Sequence, residues 1–166
     1  QYNDLSEKIF GFMTENFQEK KVDQFLGRIV NEFPGSGKLY FMVGNFQRYH
    51  DNLDEAIGWY KKAVQKEPEL LEAHLAMGNA YRDTDQPDKA ILAFERAMTL
   101  DDQNEDVYSA LINLYRGKGL LATLCNKWMA RYRARPDNKV LRDHLIEALH
   151  KDGQFELAKK IVNAEK

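Results

Sequence analysis

Residues 71–104 read "LEAHLAMGNAYRDTDQPDKAILAFERAMTLDDQN", and their apolar and small positions fall into two helical registers separated by a polar break. His74, Met77, Gly78 and Tyr81 are spaced three, one and three apart, on one face of a helix. Ala90, Phe94 and Ala97 are spaced four and three apart, on one face of another. Between them "DTDQPD" supplies turn formers and an acidic residue ahead of the second register. The pattern predicts a pair of antiparallel helices, and no part of the chain sustains the alternation of a strand.

The pattern repeats. Pro34, Pro68 and Pro136 stand one equal step and then two such steps apart, with Asp102 in the place of the missing member. A fixed period of this length signals stacked supersecondary units. The predicted repeats are 3–36, 37–70, 71–104, 105–138 and 139 to the end, the last one truncated. Two helices approach to about 8 Å only where the crossing residues are small. Gly44 and Gly78 on first helices, with Ala56, Ala63, Ala90 and Ala97 on second helices, mark these crossings; Tyr40, Tyr60, Tyr81 and Phe94 fill the space beside them.

These columns resemble the tetratricopeptide repeat, whose signature is an aromatic, Leu-Gly, Tyr, then Ala, Phe and Pro within one repeat. Repeat 37–70 fits through Tyr40, Val43, Gly44, Ala56, Tyr60, Ala63 and Pro68, departing at Gln47. Repeat 105–138 keeps Tyr108, Leu111, Tyr115, Trp128 and Pro136, but Ile112, Leu124 and Arg131 stand where the family has Gly, Ala and Ala, which predicts a loosened or re-angled second helix. The last repeat retains Leu145, the turn "DGQF" and Ala158; the first keeps Ile9, Met13, Val22, Leu26, Ile29 and Pro34. The resemblance implies an all-α fold, a single tetratricopeptide-repeat domain of about five hairpins stacked into an α-α superhelix (solenoid), with first helices lining a concave side.

Composition narrows the function classes. With 43% hydrophobic and 30% charged residues the chain can bury a core under a polar surface. No apolar run exceeds five residues (Ala90 to Phe94), far short of the roughly 18 that span a bilayer. The single cysteine, Cys125, cannot form an internal disulfide and points to a reducing, cytoplasmic location; the chain opens on Gln1, so a removed signal peptide or upstream domain stays open. Net charge is −2 over residues 1–36, −4 over 37–104 and +4 over 105–166. The basic third centres on Lys127, Arg131, Arg133, Arg135, Lys139 and Arg142, with only Trp128 and Tyr132 interleaved, so it reads as a solvated helix face and argues against nucleic acid. "GSGK" at 35–38 lacks the parts of a phosphate loop, because Glu32 stands where the first Gly belongs and Leu39 where Ser or Thr must reach magnesium. It reads instead as a repeat junction, with Pro34 ending one helix and Lys38 opening the next.

One step round the helix from the core columns, Asn45, Asn79 and Asn113 recur exactly one repeat apart, as do Arg48, Arg82 and Arg116. Phe41, Leu75 and Ser109 lie one turn earlier on the same face. With the resemblance, these nine residues become ladders along the concave groove where the family binds extended peptides. Asn can pair with both N–H and C=O of a backbone, and Arg forks take carboxylates, so the expected partner is a protein or peptide segment carrying acidic residues or a free C-terminus. The alternative is a solvated face paired with Glu72, Asp83 and Asp106. Chaperone-binding family members hold a terminal carboxylate pair with Lys, Asn, Asn, Lys and Arg; those places here hold Phe41, Asn45, Ala76, Asp106 and Ala110, which argues against that adaptor class.

No catalytic, cofactor or metal site is expected. His74 occupies a core column, His144 and His150 are six apart on opposite helix faces, and Cys125 beside Leu124 reads as an inert buried thiol. The chain is therefore expected to be a non-enzymatic adaptor or scaffold. Two alternatives stand beside this reading: a substrate-selecting or regulatory module of a larger enzyme, and a homo-oligomeric scaffold joined through the last helix, whose Ile161 and Val162 are followed only by "NAEK".

Overall fold

In the computed structural model, which describes residues 19–163, a left-handed backbone turn recurs once in each hairpin from residue 37 on, at Asp51 (φ 62°), Asp85 (φ 53°), Gly119 (φ 67°) and Gly153 (φ 78°). Each lies two residues past the end of a first helix. The amide of the following residue donates back five positions, Asn52 to Gln47, Gln86 to Tyr81, Leu120 to Tyr115 and Gln154 to Leu149, at 2.8–2.9 Å. This is the Schellman termination, which satisfies orphan carbonyls and reverses the chain into the second helix. The period of the prolines thus recurs in backbone geometry, at the turn inside each of these four hairpins.

The chain divides into two compact units, Gln1–Pro68 and Glu69–Lys166. Described residues of the first form α1 (Glu19–Glu32), α2 (Gly37–Tyr49) and α3 (Leu53–Lys66); those of the second form α4 (Leu71–Asp83), α5 (Pro87–Leu100), α6 (Glu105–Gly117), α7 (Leu121–Ala134), α8 (Lys139–Lys151) and α9 (Phe155–Asn163). No strand occurs among the described residues, and no helix there is long and apolar enough to cross a membrane. The first-repeat positions Ile9 and Met13 lie outside the described residues.

In the first unit Val22 and Leu26 of α1 pack on Leu39, Val43 and Phe46 of α2. The α2/α3 crossing closes on Gly44, where an added Cβ would lie 2.5 Å from a ring carbon of Tyr60, and Ala56, Tyr60 and Ala63 are fully buried. The Gly-Ser-Gly-Lys junction differs from the sequence reading by one residue: the helix opens at Gly37 rather than Lys38, with Ser36 as N-cap accepting from the Leu39 amide. Its first amides do hold an anion, and that anion belongs to the chain. The Glu67 carboxylate accepts from the amides of Gly37 at 2.8 Å and Lys38 at 3.2 Å. A side chain at 37 would meet Glu67 at 2.7 Å, so glycine is what lets the carboxylate reach the helix N-terminus.

In the second unit α4 and α5 cross in the same way, with Gly78 against Phe94 and with Ala90 and Ala97 fully buried. The hairpin of α6 and α7 departs from this. Ile112 and Leu124 are fully buried at the crossing, and the two backbones approach far less closely than those of α4 and α5. Bulkier side chains hold the helices apart, as their places in the repeat predict. Polar ties compensate: Lys127 of α7 reaches Glu95 of α5 and the Tyr115 hydroxyl of α6, each at 2.8 Å, and Tyr115 itself donates to Glu95 at 2.8 Å. Arg135 pairs with Asp102 and Arg142 with Asp143, so half of the basic stripe faces acids within the fold. Below this, Tyr108 is packed between Trp128 and His144, and its hydroxyl donates to the carbonyl of Asp102 at 3.1 Å. Tyr40 makes the same tie to Pro34, 2.9 Å, six residues back. Leu145, Ala148, Leu149 and Ala158 close α8 on α9, where Ile161 is buried while Phe155 and Val162 are exposed.

Candidate peptide-binding site

The nine residues singled out in the sequence fall in both units. In the first, Phe41 is half-buried with its ring 6.0 Å from that of Tyr60, and Asn45 accepts the Tyr60 hydroxyl on Oδ1 at 2.8 Å. Arg48 is exposed beside the same hydroxyl; burial raises the Tyr60 pKa, and the guanidinium partly counters it. The three therefore form one polar-aromatic cluster on α2, with Asn45 already engaged on its acceptor side.

In the second unit α4 presents Leu75, Asn79 and Arg82 at helical spacing, and α6 presents Ser109 and Asn113; all five line one cavity of about 390 Å³. Arg116, the sixth, does not line it. Phe94 of α5 and Val107 and Ala110 of α6 supply the apolar part of the lining. Asn104 and Asp106, from the start of α6, complete the rim. Asn104 is committed in part, since its Oδ1 caps α6 by accepting from the Val107 amide.

The charges in this cavity are of both signs. Arg82 lies 3.4 Å from Asp83, with both side chains about half exposed, a geometry that leaves the guanidinium open to exchange for a ligand carboxylate. Asp106 is exposed on the rim of the cavity. Sequence reading named Asp106 as a neutralising neighbour and as a departure from the chaperone-binding pattern, and missed its lining role and those of Asn104, Val107 and Ala110. The signal was available, because α6 begins a new repeat and its first turn stands next to the face of α4.

Other chemistry is spoken for. His144 Nδ1 lies 2.9 Å from the carbonyl of Val140, and its ring is stacked on Tyr108. His74 is buried in its core column. Cys125 is 1% exposed, and burial pushes its thiol up to about 11, so no thiolate nucleophile is available at neutral pH. Among the described residues no group of three or more His, Cys, Asp or Glu side chains is placed to hold a metal ion.

A family model for the tetratricopeptide repeat matches residues 49–114, a segment that contains every residue lining the cavity. No curated protein matches the sequence. Among solved structures the chain resembles MamA, with 18% identity, 96% of this chain and 87% of that one covered and a TM-score of 0.65. It also resembles a chain of Naa15/Naa10 bound to HypK-THB, at 21% identity over 98% of this chain but 24% of that one, with a TM-score of 0.65. A third likeness is to YrrB, a tetratricopeptide-repeat protein with an unusual peptide-binding site, at 17% identity, 84% and 72% coverage and a TM-score of 0.59. At these identities the likeness is one of fold.

Proposed function

We propose, on the premise that this chain is a tetratricopeptide-repeat α-solenoid, that it is a non-enzymatic adaptor which binds an extended segment of a partner protein in the cavity between α4, α5 and α6. The observation that carries the reading is the meeting of Leu75, Asn79, Arg82, Ser109 and Asn113 in one cavity whose lining is part polar and part apolar. Polar groups at a few fixed points beside apolar surface are what a peptide site needs, because the apolar surface supplies affinity and the amides fix the backbone. Arg82, with Arg116 further along the same face of the repeats, favours a segment carrying Asp, Glu or a terminal carboxylate. Asp106 across the cavity confines that carboxylate to the Arg82 side. The fold likeness to YrrB, which has a peptide-binding site, is in keeping with this reading.

A display library of random linear dodecapeptides, selected on the whole chain, tests it. Selected peptides should be enriched in acidic residues and should weaken as salt rises. Asn79→Ala combined with Arg82→Ala should lower affinity by roughly a hundredfold, taking the loss of one neutral and one charged hydrogen bond. A double variant that binds the selected peptides as the parent does would remove the cavity from the function.

A further inference from the structure

Two helices of the second unit carry opposite charges at the two ends of one face. On α4, Glu72 and Arg82 bracket the cavity residues Leu75 and Asn79; on α6, Asp106 and Arg116 bracket Ser109 and Asn113. The spacing of three, four and three residues keeps each set within roughly 80° of arc. Acid and arginine on one helix are separated by about 15 Å of axial rise. That is more than the screening length of about 8 Å at physiological salt, so neither neutralises the other. All four side chains are exposed. Arg82 meets Asp83 at 3.4 Å, and among the described residues no ion pair joins Glu72, Asp106 or Arg116. Because α5 reverses the chain between them, α4 and α6 run the same way, so the two acids lie along one edge and the two arginines along the other. Helix dipoles favour acids in a first turn and bases in a last one. They do not choose a face: Glu105 shares the first turn of α6, yet Asp106 is the acid that lines the cavity. One repeat on, α8 holds Val140, Asp143, Glu147 and His150 at these places, with Asp143 and Glu147 tied to Arg142 and Lys151. The two-edged pattern therefore belongs to α4 and α6.

In an extended chain successive side chains point to opposite sides. A segment that crosses α4 and α6 with its pleat spread over the cavity therefore sends alternate side chains to the acidic and the basic edge. We infer that the segment taken here carries both signs in a fixed parity: acidic and basic residues an odd number of positions apart, and residues of like sign an even number apart. Its acidic residues then face Arg82 and Arg116, and its basic residues face Glu72 and Asp106. A segment with acidic residues alone leaves the acidic edge unmet. One of mixed charge in the wrong parity brings like charges together at one of the edges.

This inference rests on the proposed peptide-binding function and adds the charge pattern of its ligand. The probes are the dodecapeptides selected on the whole chain and a derivative of the tightest one, in which each basic residue changes places with a neutral neighbour. Composition and net charge stay the same and only the parity changes. Among the selected peptides, acid–base pairs should stand at odd separations in clear excess over even ones. The shifted peptide should bind the parent about tenfold more weakly, the effect of losing two exposed ion pairs of good geometry. That gap should close in about 1 M salt, where the screening length falls to about 3 Å. Glu72→Gln combined with Asp106→Asn removes the acidic edge at two exposed positions without changing side-chain size, and on this variant the original and shifted peptides should bind within about twofold of each other. Selected peptides that lack basic residues, or that show odd and even separations equally often, overturn the inference while the peptide site stands. So does a shift that costs nothing on the parent, or as much on the variant as on the parent. If no peptide is selected at all, the peptide site itself fails and this inference fails with it. The selection and the shifted peptide are both read on the parent, so the test survives a variant that folds poorly.

Discussion

The glycine crossings yield a prediction whose size follows from distances. A Cβ added at Gly44 would stand 2.5 and 2.6 Å from two ring carbons of Tyr60 and 3.3 Å from the carbonyl oxygen of Ala56. Ordinary contact begins near 3.4 Å, so the clash with the ring is deep. Tyr60 cannot move to relieve it, being fully buried and tied through its hydroxyl to Asn45. At Gly78 the nearest ring atoms of Phe94 lie at 2.9 to 3.0 Å, an intrusion about half as deep, and Phe94 borders a cavity into which it can turn. Overpacking a crossing costs roughly 1 to 3 kcal/mol, against which alanine returns about 1 kcal/mol of helix propensity over glycine. Gly44→Ala is therefore expected to destabilise its unit by about 1 to 2 kcal/mol, and Gly78→Ala by at most about 1 kcal/mol. Urea unfolding reads both, with fluorescence of Trp59 reporting the first unit and Trp128 the second. A Gly44→Ala protein as stable as the parent, or one less affected than Gly78→Ala, would refute the account of how these hairpins close.

Phe94→Ala should cost about 3 to 5 kcal/mol in the same assay, because the ring is 3% exposed and fills the α4/α5 crossing; an unchanged unfolding curve would mean that the assigned core is wrong. The left-handed turns predict opposite signs for opposite exchanges. Asp85→Gly should stabilise by about 0.5 to 1 kcal/mol and Gly153→Ala should destabilise by about 1 kcal/mol, since only glycine adopts that conformation without strain. Cys125 gives a pH signature: its thiol titrates near 11 in the fold against an ordinary 9.0, so its contribution is complete below about 9 and is lost as pH rises to about 11, roughly 2 to 3 kcal/mol in all. Unfolding measured across that range should fall more steeply for the parent than for Cys125→Ala, and parallel slopes would show that the thiol is not desolvated.

How much of this was legible in the sequence depends on the range of the interaction. The hairpins were legible because three prolines, two glycines and four alanines recur at a fixed period, and each acts within its own repeat. The left-handed ladder of Asp51, Asp85, Gly119 and Gly153 carries the same period and was equally readable, but two residue types share it, so a search for identical letters passes over it. The Glu67 carboxylate on the Gly37 amide was not readable, since the two are far apart in the chain and nothing local marks the pair. The division into two compact units at Pro68 was not readable either, because the repeat pattern runs through that boundary without a break.

The candidate site shows the same division in a sharper form. Repeat columns led to Leu75, Asn79, Arg82, Ser109 and Asn113, and these line one cavity, because a column in a stacked-hairpin fold is a line in space. Columns say which positions face the same way but not what each side chain has left to give. Asn45 and Asn79 are the same letter in the same column; the first accepts the Tyr60 hydroxyl on its carbonyl oxygen, and the second lines a cavity together with Phe94, which has no hydroxyl to donate. What a side chain in such a column has left to offer is therefore decided by its neighbours in the adjoining helix and not by the column itself.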